Sequence, residues 1–194
     1  MIRILSVLLA GAVALSACAP TGGSDGPRNA NAYRISAGER GKLQFRMLDS
    51  VNSLRAAAQR PAVQLDAKLN AAAATHSRDM AVQNRPWHFG SDGSSPIDRV
   101  RRVGYTGGLV GEVISETYET ELETLAAWME QPDTRRVIMD AEARNMGFSW
   151  HQENNGKIWW TLVMGNYDNP ILVSAMHVLK NYQIEKTATD HALI

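Results

Sequence analysis

Apolar residues recur along this chain with two periods. Up to about residue 139 the spacing is mostly helical, and from Met146 onward it alternates. Leu43, Met47, Val51, Leu54 and Ala58 fall at three- and four-residue steps, the stripe of an amphipathic helix. Ser36-Ala37-Gly38-Glu39 ahead of it has the capping-box spacing. Arg60-Pro61 closes it, because the residue before a proline avoids the helical region. Asp66 is a good N-cap for a second helix, over 67–84, whose alanine run 71–74 allows a neighbouring element to come close. Ser95-Pro96 starts a short helix over 97–103, with Gly104 as its left-handed stop. Residues 109–115 read as a strand. A further helix is expected over 119–131, with acidic residues crowding its first turns where the helix dipole favours them. Pro132 breaks it, and Asp133 is placed to cap a short helix through Met139.

The alternating part is a hairpin pattern. Met146, Phe148 and Trp150 alternate with Gly147, Ser149 and His151, and Ile158, Trp160, Leu162 and Met164 form a second set. Asn154-Asn155-Gly156 between them suits a tight turn. Trp159 and Val163 make the second strand apolar on its other face too, so it needs cover on both sides. The expected fold is therefore α+β, a small antiparallel sheet between helices. Asn169-Pro170 can start a last amphipathic helix over 171–182, followed by a polar tail.

The N-terminus reads as a targeting segment. Arg3 supplies the positive region, and 4–14 is apolar but shorter than the roughly 20 residues a spanning helix needs. Leu15-Ser16-Ala17-Cys18 resembles the lipobox of bacterial lipoproteins, in which the cysteine becomes the lipid-bearing N-terminal residue. Cys18 is the only cysteine, which excludes a disulfide framework, a thiolate metal site or a cysteine nucleophile elsewhere in the sequence. Residues 19–31, rich in Gly, Pro, Ser, Thr and Asn, bury too little to fold and read as a tether. The organisation expected is a lipoprotein signal over 1–17, lipidated Cys18 with its tether over 18–35, one domain over 36–168, and a C-terminal extension over 169–194.

Balanced charge, 20 basic against 20 acidic residues, argues against a nucleic-acid partner held through phosphates. The basic cluster Arg99, Arg101, Arg102 and the acidic run Glu116, Glu119, Glu121, Glu123 read most simply as solvated faces. The sequence lacks a His-Glu-x-x-His helix, a Gly-x-Ser-x-Gly elbow and a phosphate loop, so nucleotide chemistry is not expected. Candidate chemistry concentrates in 87–112, which places the imidazole of His88 and the carboxylate of Glu112 on two loops around the short helix. His76, on an apolar helical face, reads as a packed, hydrogen-bonded core histidine.

Local patterns in order carry a resemblance. Leu65-Asp66, an alanine-rich helix with His76, Asp79 and Met80, then His88, Ser95-Pro96-Ile97-Asp98-Arg99, Gly104-Tyr105, Gly111-Glu112, Trp128-Met129, Pro132, Arg135, Gly147 and Trp160-Thr161 follow one another. The chain over 40–166 resembles the CAP superfamily, or SCP-like proteins, and most of all its bacterial members. The resemblance implies a three-layer α-β-α sandwich and a cleft tetrad of two histidines and two acids that in some relatives holds a divalent metal. His88 matches the first histidine and Glu112 the glutamate; the second acid falls at Gln131 and the second histidine at Thr134.

One imidazole and one carboxylate make a poor zinc site, which normally draws three or four protein ligands. They can still form a hydrogen-bonded pair. The expectation is thus a lipid-anchored protein of the bacterial cell envelope, facing the periplasm, with His88, Glu112, Gln131 and Thr134 as cleft residues. It would bind an apolar small molecule, an envelope component or a protein partner, with at most a weakly held divalent cation and no nucleic acid or nucleotide. The alternatives are a hydrolase, metal-assisted or using Glu112 as general base, and a structural envelope protein with a vestigial cleft.

Overall fold

The computed structural model describes residues 33–167. The expected signal segment, Cys18, the expected tether over 19–31, the helix expected over 171–182 with His177, and the tail with His191 lie outside the described residues.

A 3₁₀ turn, Ala37–Glu39, leads into α1, Arg40–Ala57, and a two-residue strand β1, Gln64–Leu65, precedes α2, Ala67–Gln83. Then come α3, Pro96–Arg102, and β2, Gly108–Ser115, followed by α4, Glu121–Glu130, and α5, Pro132–Ile138. The hairpin strands β3, Asn145–Gln152, and β4, Ile158–Asn166, complete the described part. The sheet order is β1-β3-β4-β2, antiparallel except that β1 lies parallel to β3.

Most element starts follow their caps. The backbone and hydroxyl of Ser36 donate to Glu39, Asp66 accepts from the N–H groups of Lys68 and Leu69, and Ser95 and Asp98 form a reciprocal capping box. Gly104 has the left-handed φ, 75°, that the sequence demands of it. Three boundaries differ from expectation. Helix α1 ends before Arg60-Pro61, because Gln59 turns left-handed and the Arg60 N–H closes back on the Arg55 carbonyl. Helix α4 starts at Glu121, since Thr120 is the residue whose side chain caps Glu123. Helix α5 is capped at Gln131 and not at Asp133, because Pro132 takes the first helical position, where a missing N–H costs nothing.

The three layers follow from β4, every residue of which is buried. One face of the sheet presents Phe148, Trp160, Leu162 and Met164 to Leu43, Met47 and Val51 of α1, to Leu125 and Trp128 of α4 and to Ile138 of α5. Phe148 stacks on Trp160 with centroids 5.6 Å apart. The opposite face presents Val163 to Leu69, Ala72 and Ala73 of α2 and to Val100 of α3. Helix α2 lies close enough that a Cβ on Gly147 would stand 2.1 Å from the Leu69 carbonyl carbon, so only glycine fits there. The alanine run on α2 and Gly147 on β3 are two halves of one close approach.

Two charged groups read as solvated are in fact inside. Arg99 is buried, and so is Glu121, which pairs with Arg46. Arg55 is buried as well: its guanidinium donates to the carbonyls of Pro61, Ile138 and Ala143 and ties α1 to the turn after α5.

Candidate functional site

Four elements converge on the carboxylate of Glu112. The residue lies within β2, not on a loop, and sits opposite Val163 of β4. Directly opposed residues of an antiparallel pair point to the same face. Val163 faces α2 and α3, so Glu112 does too, and its side chain is only 3% exposed.

An ionised carboxylate at that depth needs partners. Arg99, on α3 and 4% exposed, supplies the main one, with one terminal nitrogen 2.8 and 2.9 Å from the two carboxylate oxygens. The same nitrogen lies 2.9 Å from the His88 carbonyl, and its twin donates to the Ser94 carbonyl at 3.1 Å. Arg99 thereby fastens the loop carrying His88 to β2. Helical spacing explains its inward course: Pro96, Arg99, Val100 and Val103 share one face of α3, while Arg101 and Arg102 fall on the exposed one.

His88 is the second partner. Its Nδ1 lies 2.9 Å from Glu112 Oε1, and since a carboxylate only accepts, Nδ1 carries the proton. Nε2 lies on the far side of a ring that is 50% exposed. Its chain neighbours Trp87 and Phe89 pack on each other, ring centroids 5.7 Å apart, with Phe89 exposed and the Trp87 N–H bonded to Gln83 at 2.7 Å.

His76 of α2 is the third neighbour. It is fully buried, with Nε2 3.5 Å from Glu112 Oε1. The sequence marks it as packed, and it is; it also marks it as hydrogen-bonded, and neither ring nitrogen makes a well-aligned hydrogen bond. Burial pushes its pKa below the ordinary value, with the Arg99 charge adding to the effect and Glu112 opposing it, so the ring is held neutral. For Glu112 burial acts upward, but the hydrogen bonds from His88 and Arg99 and the Arg99 charge prevail and hold the carboxyl below its ordinary value.

Gln131 and Thr134 do not join this cluster. Gln131 is exposed at the α4–α5 corner, and the Thr134 hydroxyl donates to the Trp128 and Gln131 carbonyls within that corner. Neither hydrogen-bonds Glu112 or His88 among the described residues. His151 pairs with Trp159 in the hairpin, away from the site.

The donor set does not fit the divalent metal that the tetrad holds in some relatives. The Arg99 guanidinium already covers both Glu112 oxygens with a fixed positive charge, and Thr134 is spent on its own turn. Among the described residues no group of three His, Cys, Asp or Glu side chains could hold a metal ion.

A sheet of four strands between α1, α4 and α5 on one side and α2 and α3 on the other, with an acid from β2 facing a histidine before α3, defines an α-β-α sandwich of the SCP type. Residues 48–164 match the family described as CAP, the Cysteine-rich secretory protein family, and the chain belongs to it. A curated relative is the "Uncharacterized protein YkwD" of Bacillus subtilis (strain 168), 27% identical over 103 residues; these make up 53% of this chain, which spans only 39% of that relative's length. The fold is shared with an outer surface protein of Borrelia burgdorferi, at TM-score 0.61 and 15% identity over 70% of this chain and 98% of that one. It is also shared with an extracellular SCP-domain protein of Bacillus anthracis str. Ames, at TM-score 0.60 and 18% identity over 69% of this chain and 45% of the other. No helix among the described residues is long and apolar enough to cross a membrane.

Proposed function

We propose that this protein is a lipid-anchored CAP-domain protein of the bacterial cell envelope that works by binding and not by catalysis. The engagement of Glu112 supports this reading most directly. A general base needs a lone pair aimed at a substrate proton, and a hydrolytic metal needs several free donors. Here Arg99 spans both oxygens and His88 shares one.

The side facing outward carries the half-exposed His88 ring, and its chain neighbours Trp87 and Phe89 pack their rings on each other, with Phe89 exposed. That composition suits a small apolar ligand with a polar end, an envelope component, or a protein partner that presents such a group. In this reading the signal over 1–17 directs export, cleavage frees Cys18 for acylation with palmitate-type chains, and 19–31 spaces the domain from a membrane on its periplasmic side.

The test uses residues 19–194 as a soluble protein, with His88→Ala and Glu112→Ala. Melting temperatures with and without about 1 mM Zn²⁺, Ca²⁺ or Mg²⁺ are expected to coincide, because a ligand stabilises only if it binds the native state. A metal-induced rise lost in both variants would favour the metal-assisted hydrolase instead. Labelled fatty acid or sterol is expected to bind the wild type saturably and to bind His88→Ala and Phe89→Ser more weakly; equal binding to all three would reject the His88 face as the site.

A further inference from the structure

Arg99 has a second side. Besides facing Glu112 it lines a separate pocket of about 270 Å³ between α2, the turn over 90–94 and α3, close to the size of a small-ligand site. Its Nε–H has no hydrogen-bond partner among the described residues, although Arg99 is 4% exposed. Buried donors are rarely left unpaired, because each costs about 1–3 kcal/mol.

Two carboxylates shape the pocket. Asp92 is spoken for: one oxygen accepts the Ser94 N–H at 2.9 Å and the other pairs with Arg102. Asp79 is different. It accepts from the Ser91 N–H, the Ser91 hydroxyl and Gln83, all neutral groups, and no cation among the described residues pairs with it. Three acceptances leave one of about four lone-pair directions open, on Oδ1. With Arg99 balanced by Glu112 and Arg102 by Asp92, the pocket carries one uncompensated negative charge. Ala72 and Val103 add an apolar wall.

The turn is built to hold these groups together. A Cβ on Gly90 would stand 2.5 Å from the Ser94 hydroxyl, 2.6 Å from Asp92 Oδ1 and 3.3 Å from Asp79 Oδ2, so the backbone there gives up a side chain to let three polar groups converge.

We propose that this pocket is a binding site for a small primary ammonium compound carrying an acceptor oxygen, the chemistry of an amino alcohol or an amino acid. The ammonium pairs with Asp79, the oxygen is drawn to the Arg99 guanidinium that lines the pocket, and the short carbon skeleton lies on Ala72 and Val103. The site is distinct from the His88 face and does not depend on what binds there.

The experiment is residue-resolved NMR titration of the soluble protein over 19–194 with ethanolamine, alanine and glucosamine as probes, and with glycerol and propionate as uncharged and anionic controls. The ammonium probes are expected to shift the amides of Thr75, Asp79, Ser91 and Val103 saturably, while the controls do not. Asp79→Asn should weaken binding about tenfold or more, the loss of one charge-assisted contact. Thr75→Trp fills the mouth from an exposed helix position whose hydroxyl bonds only its own helix, and should abolish binding without disturbing the fold. His88→Ala should leave it within about twofold, well inside one hydrogen bond's worth. Absence of saturable shifts with every ammonium probe at about 50 mM, well above ordinary small-ligand affinities, overturns the proposal. So do equal shifts with glycerol or propionate, or unchanged binding in Thr75→Trp, which decides the matter if Asp79→Asn fails to fold.

Discussion

Replacing Arg99 with leucine would leave the Glu112 carboxylate buried beside two imidazoles and no guanidinium. Breaking one side of a buried pair typically costs about 3–5 kcal/mol, because the remaining charge stays desolvated. Arg99→Leu is therefore expected to lower unfolding free energy in urea by about that much, and Glu112→Gln added to it should restore part of the loss. The same cluster sets an acid limit. Glu112 and His76 both bind protons more weakly folded than unfolded. Their contribution is complete above the unfolded values, 6.5 for the histidine and 4.5 for the glutamate, and is lost as pH falls through the lower folded ones. The melting temperature should begin to drop below about pH 6.5 and drop further below about 4.5, and His76→Gln should reduce the upper part of that slope, leaving the share of His151, which burial also holds below its ordinary value. Of these four residues the sequence points to His88 and Glu112. Arg99 is masked by Arg101 and Arg102 beside it, although its place on the apolar stripe with Val100 and Val103 is the signal that it turns inward. His76 gives no such signal, because only the packing of α2 on the sheet brings it to Glu112.

Among the elements, the contact between α2 and β3 tolerates least. Helix and strand meet closely: the Asn70 side chain accepts the Phe148 N–H at 2.8 Å, and the Ser77 hydroxyl lies 3.3 Å from the Ser149 carbonyl. Gly147→Ala would drive a methyl into the Leu69 backbone, which cannot swing aside as a side chain would. A loss of about 3 kcal/mol or more is expected in chemical denaturation, the upper range for overpacking. Helices and hairpin are legible from periodicity because a face buried throughout its length imposes a repeat. Strand β1 is not, since two residues carry no period. Cap choice at α5 is likewise a contest between Pro132 and Asp133 that spacing alone does not decide.

For the molecule as a whole, the sandwich follows from β4, apolar on both faces and covered on both. The expected cleft is legible only in half: β2 and the loop before α3 bring Glu112 and His88 together, whereas the α4–α5 corner keeps Thr134 for itself. The proposed lipid anchor is tested at Cys18. Cys18→Ser in the full chain is expected to move the protein from the membrane pellet to the soluble fraction on cell fractionation; retention in the pellet would reject the lipid anchor.

The central position of β4 also bears on the order in which the domain can be completed. β4 pairs with both β2 and β3, yet it is the last of the four strands in chain order. A chain emerging from its N-terminal side first has five helices waiting on two sides of a sheet that lacks its middle. Until Ile158–Asn166 arrives, neither layer has the surface it is shaped to cover. The domain is thus held back from closing until nearly all of it has been delivered, a delay that would suit the proposed export of the chain before it folds.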